Sequence, residues 1–226
     1  MRWNVLTRGL AILAVTGALA APGALRAEKA LPVDEATKDQ SLVQMRAALI
    51  DAVQAKDLRK VMSFMAPTIE LSFSGISGPA AFAQMVRQDP KLWTELLTVL
   101  RRGGRFDPDG NFVAPYAFDY PCQTKDCGVG ADEFNIAIVV EHNANLHVDA
   151  DQISRIVAPL SYDIVRVLDW GGEDKDDAKT GWIKVRTADG KEGFVRRAAV
   201  YAALDYRAGF QKIDGQWKMV FFVVGD

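Results

Sequence analysis

The sequence has few of the residues that most often build metal and catalytic centres. It contains two cysteines, Cys122 and Cys127, and two histidines, His142 and His147. The histidines are five positions apart, which is off the usual helical spacing of metal ligands, and no third ligand is evident beside them. No nucleophile–base constellation is evident either. We therefore expect no metal site, no cofactor and no catalytic centre.

The sequence also lacks an excess of charge of either sign. Its formal net charge is -2, so it has no general basic surface for nucleic acid. It contains no low-complexity tract and no long-period repeat. The composition is that of an ordinary globular protein, with enough chain for one large domain or two small ones.

The apolar run near the N-terminus is short. Residues 9–21 form this run, which is too short for a comfortable membrane span. Two arginines precede the run and small residues follow it, a pattern typical of a cleaved secretory signal within residues 1–27. Cleavage after Ala20 or Ala27 fits the pattern, and an uncleaved membrane anchor is the alternative. We expect a periplasmic or secreted protein without a stable membrane span after cleavage.

The two cysteines fit an oxidising compartment. Cys122 and Cys127 enclose four residues, and in an oxidising space this spacing predicts a local disulfide that pins a loop. A redox centre is the weaker alternative, because such centres usually separate the thiols by two residues. A metal site would need further ligands that are not evident in the sequence.

The N-terminal half carries helical patterns and one strand. Residues 37–55 place apolar side chains at helical spacing, and Asp57 is the predicted N-cap of a second, short helix. Residues 68–74 alternate apolar and polar side chains, which predicts a strand with one wet face. Pro79 and Pro90 are predicted to open two more helices.

The C-terminus predicts a hairpin that completes the sheet beneath these helices. Asp214-Gly215 forms the predicted turn, and residues 217–224 are apolar on both faces, as expected of a strand inside a covered sheet. We predict an α+β scaffold domain of residues 28–141 plus 204–226. Its order of helices, strand and closing hairpin resembles the nuclear-transport-factor-two-like cone fold. That resemblance implies a pocket, and some members of the family are enzymes.

Between these parts lies a segment with a small-barrel motif. Gly181–Val185 and Asp189–Val195 predict two strands joined by an Asp-Gly turn, preceded by His147-Val148-Asp149 and by Val157–Leu160. These motifs resemble the bacterial SH3-like (Src homology 3) domain. The resemblance implies a five- or six-stranded β-barrel at residues 142–203, inserted into the scaffold. It also implies non-catalytic binding of peptides, cell-wall peptides or neighbouring protein surfaces.

Aromatic side chains are the predicted ligand contacts of this barrel. We expect Tyr162, Trp170, Trp182 and Phe194 on its rim, because aromatic rings give large contact area at little cost in side-chain entropy. For Trp182 the alternative is that the ring fills the small core. The acidic loop at residues 173–177 would steer a cationic segment.

The leading functional hypothesis is an exported binding protein without catalysis. Its barrel would contact an envelope peptide, peptidoglycan or a periplasmic protein. The alternative is a small-molecule or enzymatic site in the pocket of the α+β domain, with Glu70, Glu95, Arg101, Arg105 and Asp119 as candidate polar groups. A third possibility is a structural envelope factor that acts through oligomer contacts.

Overall fold

The computed structural model describes residues 29–118, 133–171 and 181–225. The predicted signal within residues 1–27, the Cys122–Cys127 pair and the acidic loop at 173–177 lie outside the described residues, so they stay predictions. The described residues form an α+β protein with two β-sheets and four α-helices. The predicted fold class is confirmed at this level.

Polar residues set the starts of the helices. The Asp39 carboxylate accepts hydrogen bonds from the first backbone amides of α1, and the Asp57 carboxylate accepts one from Lys60 N in α2. Pro79 begins α3, where its missing N–H costs nothing. The predicted roles of Asp57 and Pro79 are thus confirmed. The helices are α1 (Gln40–Gln54), α2 (Leu58–Ser63), α3 (Pro79–Gln88) and α4 (Leu92–Arg101).

In the described part of the chain, twelve strands divide between the two sheets. In chain order the strands are β1 (Met65–Glu70), β2 (Arg105–Phe106), β3 (Phe112–Ala114), β4 (Ile136–Val139), β5 (Ala144–His147), β6 (Ile156–Leu160), β7 (Ile164–Asp169), β8 (Trp182–Thr187), β9 (Glu192–Arg196), β10 (Val200–Ala202), β11 (Arg207–Ile213) and β12 (Gln216–Val223). The first sheet has the order β1-β12-β11-β3-β2, and the second has the order β10-β4-β7-β8-β9-β5-β6.

The first sheet is covered by the helices. Strand β12 lies between β1 and β11, as its apolar sequence predicts, and it pairs with β1 in parallel. Large side chains from this sheet and from all four helices form one core. Phe82 of α3 makes edge-to-face contacts with Trp93 and Phe222, at centroid distances of 6.1 and 6.3 Å. Such pairs add to the free energy of burial.

Strand β1 begins and ends earlier than the alternation at residues 68–74 predicts. It ends at Glu70, and Phe73 is 57% exposed instead of buried. The chain turns back at this point, because Leu71 N donates to Ile76 O and Gly75 adopts a φ of 93°. The register is set by the pairing of Met65 with Met219, which the local pattern does not contain.

The second sheet packs around small aliphatic side chains. Leu146, Val165, Ile183, Val185 and Val195 are buried at its centre. A 3-10 turn at Arg197–Ala199 connects β9 to β10. The described strand order runs from β10 at one edge to β6 at the other, so no closed barrel is found in the described residues. The five- or six-stranded closed barrel implied by the sequence therefore differs from the seven-stranded order that is observed.

Strand β4 belongs to this second sheet, although the sequence places it in the scaffold. It is hydrogen-bonded to β7 on one side and β10 on the other. Its side chains are buried on both faces: Ala137 and Val139 enter the aliphatic core, while Ile136 and Ile138 pack with Tyr201 in a separate cluster. A strand buried on both faces has no alternation that would indicate which sheet it joins.

Candidate functional site

The face of the second sheet opposite its aliphatic core is hereafter the outer face. Side chains alternate along β8, so Ile183 and Val185 point into the core while Trp182, Lys184 and Arg186 belong to the outer face. The outer face is therefore aromatic and cationic in this region.

Half of the outer face is covered by other parts of the chain. At the β10–β4–β7 end, Ile138 and Ile164 pack with Tyr116 and Tyr201, and Ala30 completes the cluster. Over β8 and β9, none of the apolar clusters formed by described residues provides such a cover. This second half, the open half, is where the sheet presents side chains to solvent.

Trp182 lies at one end of the open half, in a stack of three side chains. The Arg196 guanidinium lies 4.4 Å from the centroid of the indole, and the His147 ring contacts the indole edge-to-face at 5.3 Å. Gln152 Oε1 accepts a 3.0 Å hydrogen bond from Arg196 Nη2, and His147 Nδ1 lies 3.1 Å from Ser154 O. Because its neighbours cover it, Trp182 is 5% exposed.

Phe194 and three charged residues occupy the rest of the open half. Phe194 is half-buried and lies opposite both Lys184 and His147 in the strand register. Glu192 accepts a hydrogen bond of 2.9 Å from Arg186 Nε and lies 3.4 Å from Lys184 Nζ. The hydrogen bonds from Arg186 hold the pKa of Glu192 below its ordinary value. The Glu192 carboxylate thus holds the Arg186 and Lys184 side chains near the Phe194 ring.

The four predicted rim residues do not form one group. Trp182 and Phe194 share the outer face, whereas Tyr162 and Trp170 lie at opposite ends of β7. Trp170 is 37% exposed, with the Arg197 guanidinium 5.6 Å from its ring. Tyr162 has a left-handed φ of 59° in the turn between β6 and β7.

Sequence reasoning missed Arg196, His147 and Gln152. A partial signal for Arg196 exists, because counting outward from a loop centred on Asp189 pairs it with Trp182, whereas a two-residue Asp189-Gly190 turn would pair Arg197 there. Neither His147 nor Gln152 has such a signal. The loop between β5 and β6 brings Gln152 to Arg196, and no local pattern indicates that contact.

A second polar cluster lies where α4 meets the 3-10 turn. Arg102 Nη2 donates to Ala198 O at 3.2 Å. Arg197 pairs with Asp205, whose other oxygen accepts a hydrogen bond of 2.9 Å from Ala202 N. Burial lowers the pKa of the Arg102 guanidinium, while the nearby Asp205 opposes that shift. This cluster is hereafter the junction.

Two acidic groups at the junction have perturbed ionisation. Burial raises the pKa of Glu95, and the nearby Asp205 raises it further against Arg197 and Arg102. Burial raises the pKa of Tyr116 to about 12. The Tyr116 hydroxyl is buried and has no hydrogen-bond partner among the described residues, which is an uncommon state for a native polar group.

The alternative polar groups predicted for the scaffold pocket are dispersed. Glu70 ends β1, Glu95 and Arg101 belong to α4, and Arg105 lies in β2. No hydrogen bond or ion pair joins any two of these four in the described part of the chain. Asp119 lies outside the described residues.

Two structural features, a helix able to cross a membrane and a metal-binding cluster, are absent from the described ranges. No helix in them is both long and apolar enough to cross a membrane. No group of three or more His, Cys, Asp or Glu residues among them is placed to hold a metal ion.

Comparison with known proteins gives no family assignment. No family model matches the chain, and no curated protein matches it. Among solved structures, it is similar to a protein of unknown function with a cystatin-like fold from Nostoc punctiforme. The two are 11% identical, and the match covers 84% of this chain and 92% of that one at a TM-score of 0.26. A likeness this low supports no conclusion about function.

Proposed function

We propose that this chain is an exported, non-catalytic binding protein. Its second sheet contacts an extended ligand: a peptide, a cell-envelope polymer or a segment of a partner protein. The observation that carries this proposal is the open half of the outer face, where Arg196 stacks on Trp182 beside Phe194. Aromatic and arginine side chains held on a rigid sheet are typical of binding hot spots.

The uneven cover of the outer face supports this assignment. The β10–β4–β7 end is covered by apolar side chains, whereas the β8–β9 end keeps Phe194 half-buried and Lys184 about as exposed as its partner Glu192. A ligand laid along β8 and β9 would bury Phe194 and meet Arg196, whose guanidinium is already held by Gln152. Preorganised side chains lose little further entropy on binding.

We further propose that this sheet is related to the bacterial SH3-like domain. The register of the β8–β9 hairpin across Asp189-Gly190 and the 3-10 turn before β10 support this relation. The proposed insertion into the scaffold is supported by chain order, because β3 precedes the second sheet and β11 follows it, yet both lie in the first sheet. The relation of the helix-covered part to cone-shaped folds is likewise a proposal.

The experiment measures binding to envelope material by the full chain after export. Purified peptidoglycan and detergent-solubilised envelope proteins are offered separately to the wild type and to the Phe194→Ala/Arg196→Ala variant. We expect the variant to bind at least tenfold more weakly to the material that the wild type retains, since two hot-spot residues commonly contribute more than about 1.4 kcal/mol together. Trp182 is left unchanged, because truncating a buried indole would disturb the sheet itself.

Arg87→Ala supplies the matched control. Arg87 is an exposed cation on α3, and its removal changes net charge as Arg196→Ala does. The proposal is wrong if the folded double variant binds like the wild type, or if Arg87→Ala weakens binding equally. Retention by peptidoglycan alone identifies a wall-binding protein, and retention by protein alone identifies a partner-binding factor.

A second candidate function is a small-molecule site at the junction. It is favoured by the partnerless, buried Tyr116 hydroxyl in the electrostatic neighbourhood of Arg102. A ligand with a hydrogen-bond acceptor would satisfy that hydroxyl. A thermal-shift screen of small carboxylates and amides against the wild type and Tyr116→Phe tests it, and equal responses of the two proteins would reject this candidate.

A further inference from the structure

The loop between β5 and β6 presents one apolar side chain to solvent almost completely. The loop spans residues 148–155, its residues 149–155 are hereafter the hairpin tip, and Ile153 within the tip is 91% exposed. Val148 and Ile156, which flank the tip, are 37% and 48% exposed. Three exposed β-branched residues around one turn exceed the single, scattered apolar residues normal for a protein surface.

The hairpin tip is held in one shape by its own hydrogen bonds. Ile153 N donates to Asp151 Oδ1 at 3.0 Å, and the Ser154 hydroxyl donates to Asp149 O at 3.2 Å. Val148 N donates to Arg155 O at 2.9 Å at the base of the loop. Because the backbone is already ordered, docking Ile153 would cost little conformational entropy.

The charges around Ile153 restrict what can dock there. Asp149 and Asp151 are exposed, and Arg155 is the one cationic residue of the hairpin tip. Two carboxylates beside the apolar side chain would be repelled by an anionic lipid surface. They would be attracted by lysine and arginine side chains around a pocket on another protein.

We infer that the hairpin tip is a docking element that inserts Ile153 into an apolar pocket, rimmed by basic side chains, on a partner protein. This inference goes beyond the proposed function, because Ile153 is not one of the ligand contacts proposed at Phe194 and Arg196, although Gln152 of the hairpin tip accepts a hydrogen bond from Arg196. A chain with both surfaces would connect the ligand of the outer face to a second protein.

The test begins by replacing Ile153 with the photo-crosslinking residue p-benzoyl-L-phenylalanine in the full chain, in cells that export it. The same replacement at Leu31, which is 60% exposed on the N-terminal segment, is the control. We expect one predominant protein adduct from position 153 and none from position 31. The crosslinked peptide of the partner should be apolar and flanked by Lys or Arg.

Measuring the affinity of variants for that purified partner then separates the apolar contact of Ile153 from the attraction of the two carboxylates. Ile153→Asp should weaken binding at least tenfold, because it places a charge in the apolar pocket. Ile153→Val should stay close to the wild type. Asp149→Asn/Asp151→Asn keeps acceptor oxygens for the loop, so it should fold normally but lose the salt dependence of binding.

Several outcomes would overturn the inference. These are no adduct from position 153, an adduct only with a second copy of this chain, a partner surface rich in Asp and Glu, or unchanged affinity of a folded Ile153→Asp variant. Binding to phosphatidylglycerol vesicles that depends on Ile153 would identify a membrane contact instead. Phe194→Ala should keep the crosslink while weakening envelope binding, so failure of this inference and failure of the proposed function give different results.

Discussion

The two sheets of this protein are stabilised in different ways. The first sheet packs under four helices, and its core includes Phe82, Phe112, Phe210, Phe222 and Trp217. The core of the second sheet, as far as the chain is described, consists of Ala, Val, Ile and Leu side chains. Large rings bury more area per residue than aliphatic side chains do. The core of the helix-covered part thus contains large aromatic rings, whereas Trp182 and Phe194 of the second sheet lie on its outer face.

This difference bears on the location of the proposed ligand surface. In the first sheet, the rings of Phe210 and Phe222 are fully buried. In the second sheet, the described core is aliphatic, and Phe194 lies half-buried on the outer face, near the Trp182 ring that Arg196 and His147 cover. If the second sheet binds a ligand as proposed, changes in the two parts should have separable effects on stability and on binding.

The largest expected effect comes from a matched pair of core truncations. Leu96 and Leu146 are both 0% exposed, one in each core. Leu→Ala in a core costs about 2–5 kcal/mol, depending on how far the site can relax. We expect Leu96→Ala near the upper end, because it lies among helices and large rings, and Leu146→Ala near the lower end. Urea unfolding measures both, and equal costs would contradict the distinction between the cores.

Glycine substitutions compare the two sheets at their closest backbone approaches. A Cβ at Gly193 would lie 2.4 Å from His147 O, and one at Gly209 would lie 2.1 Å from a carbon of the Phe221 ring. The carbonyl belongs to the β5–β9 pairing and cannot move alone, whereas the half-buried Phe221 ring can rotate. We expect Gly193→Ala to cost about 3 kcal/mol and Gly209→Ala about 1 kcal/mol. A thermal unfolding series that reverses this order would show that the first sheet is the more rigid of the two.

A smaller effect is expected at the turn between β8 and β9. The Thr187 hydroxyl accepts a 3.0 Å hydrogen bond from Lys191 N and bonds to Asp189. Thr187→Val keeps the shape but removes the hydroxyl, so we expect a loss of about 1 kcal/mol. Thr94→Val, at an exposed position of α4, serves as the control in the first part. Chemical denaturation measures the free energy of unfolding of both variants. Equal losses would show that the Thr187 hydroxyl contributes nothing specific to the turn.

The smallest effect is a pH dependence at the junction. The pKa of Glu95 is raised in the folded protein by burial and by Asp205. As the pH rises above about 4, the unfolded chain therefore loses this proton before the folded one does, and the stability contributed at Glu95 falls until the folded carboxyl also ionises. Glu95→Gln should remove this decline, while Glu70→Gln, at the exposed end of β1, should keep it. Stability measured across mildly acidic pH tests the sign.

Local patterns predicted most elements but few contacts. The caps at Asp57 and Pro79 and the turn at Asp214-Gly215 are confirmed, because a few neighbouring residues determine them. The position of β1 and the sheet that receives β4 depend on partners far away in the chain. The same holds for the candidate site, where Phe194 and Trp182 were predicted but their contacts with His147 and Arg196 arise from strand register.

The pairing of β1 with β12 has a consequence for biosynthesis. Met65 pairs with Met219, which is 154 positions later in the chain, so the first sheet has a very high contact order. While the ribosome is still producing the second sheet, α1 and α4 lack the strands β12 and β11 that they contact in the folded protein. Such an exposed surface is a target for chaperones and a starting point for aggregation. The hairpin of β11 and β12, which is synthesised after the second sheet, is therefore needed before the first sheet can be completed.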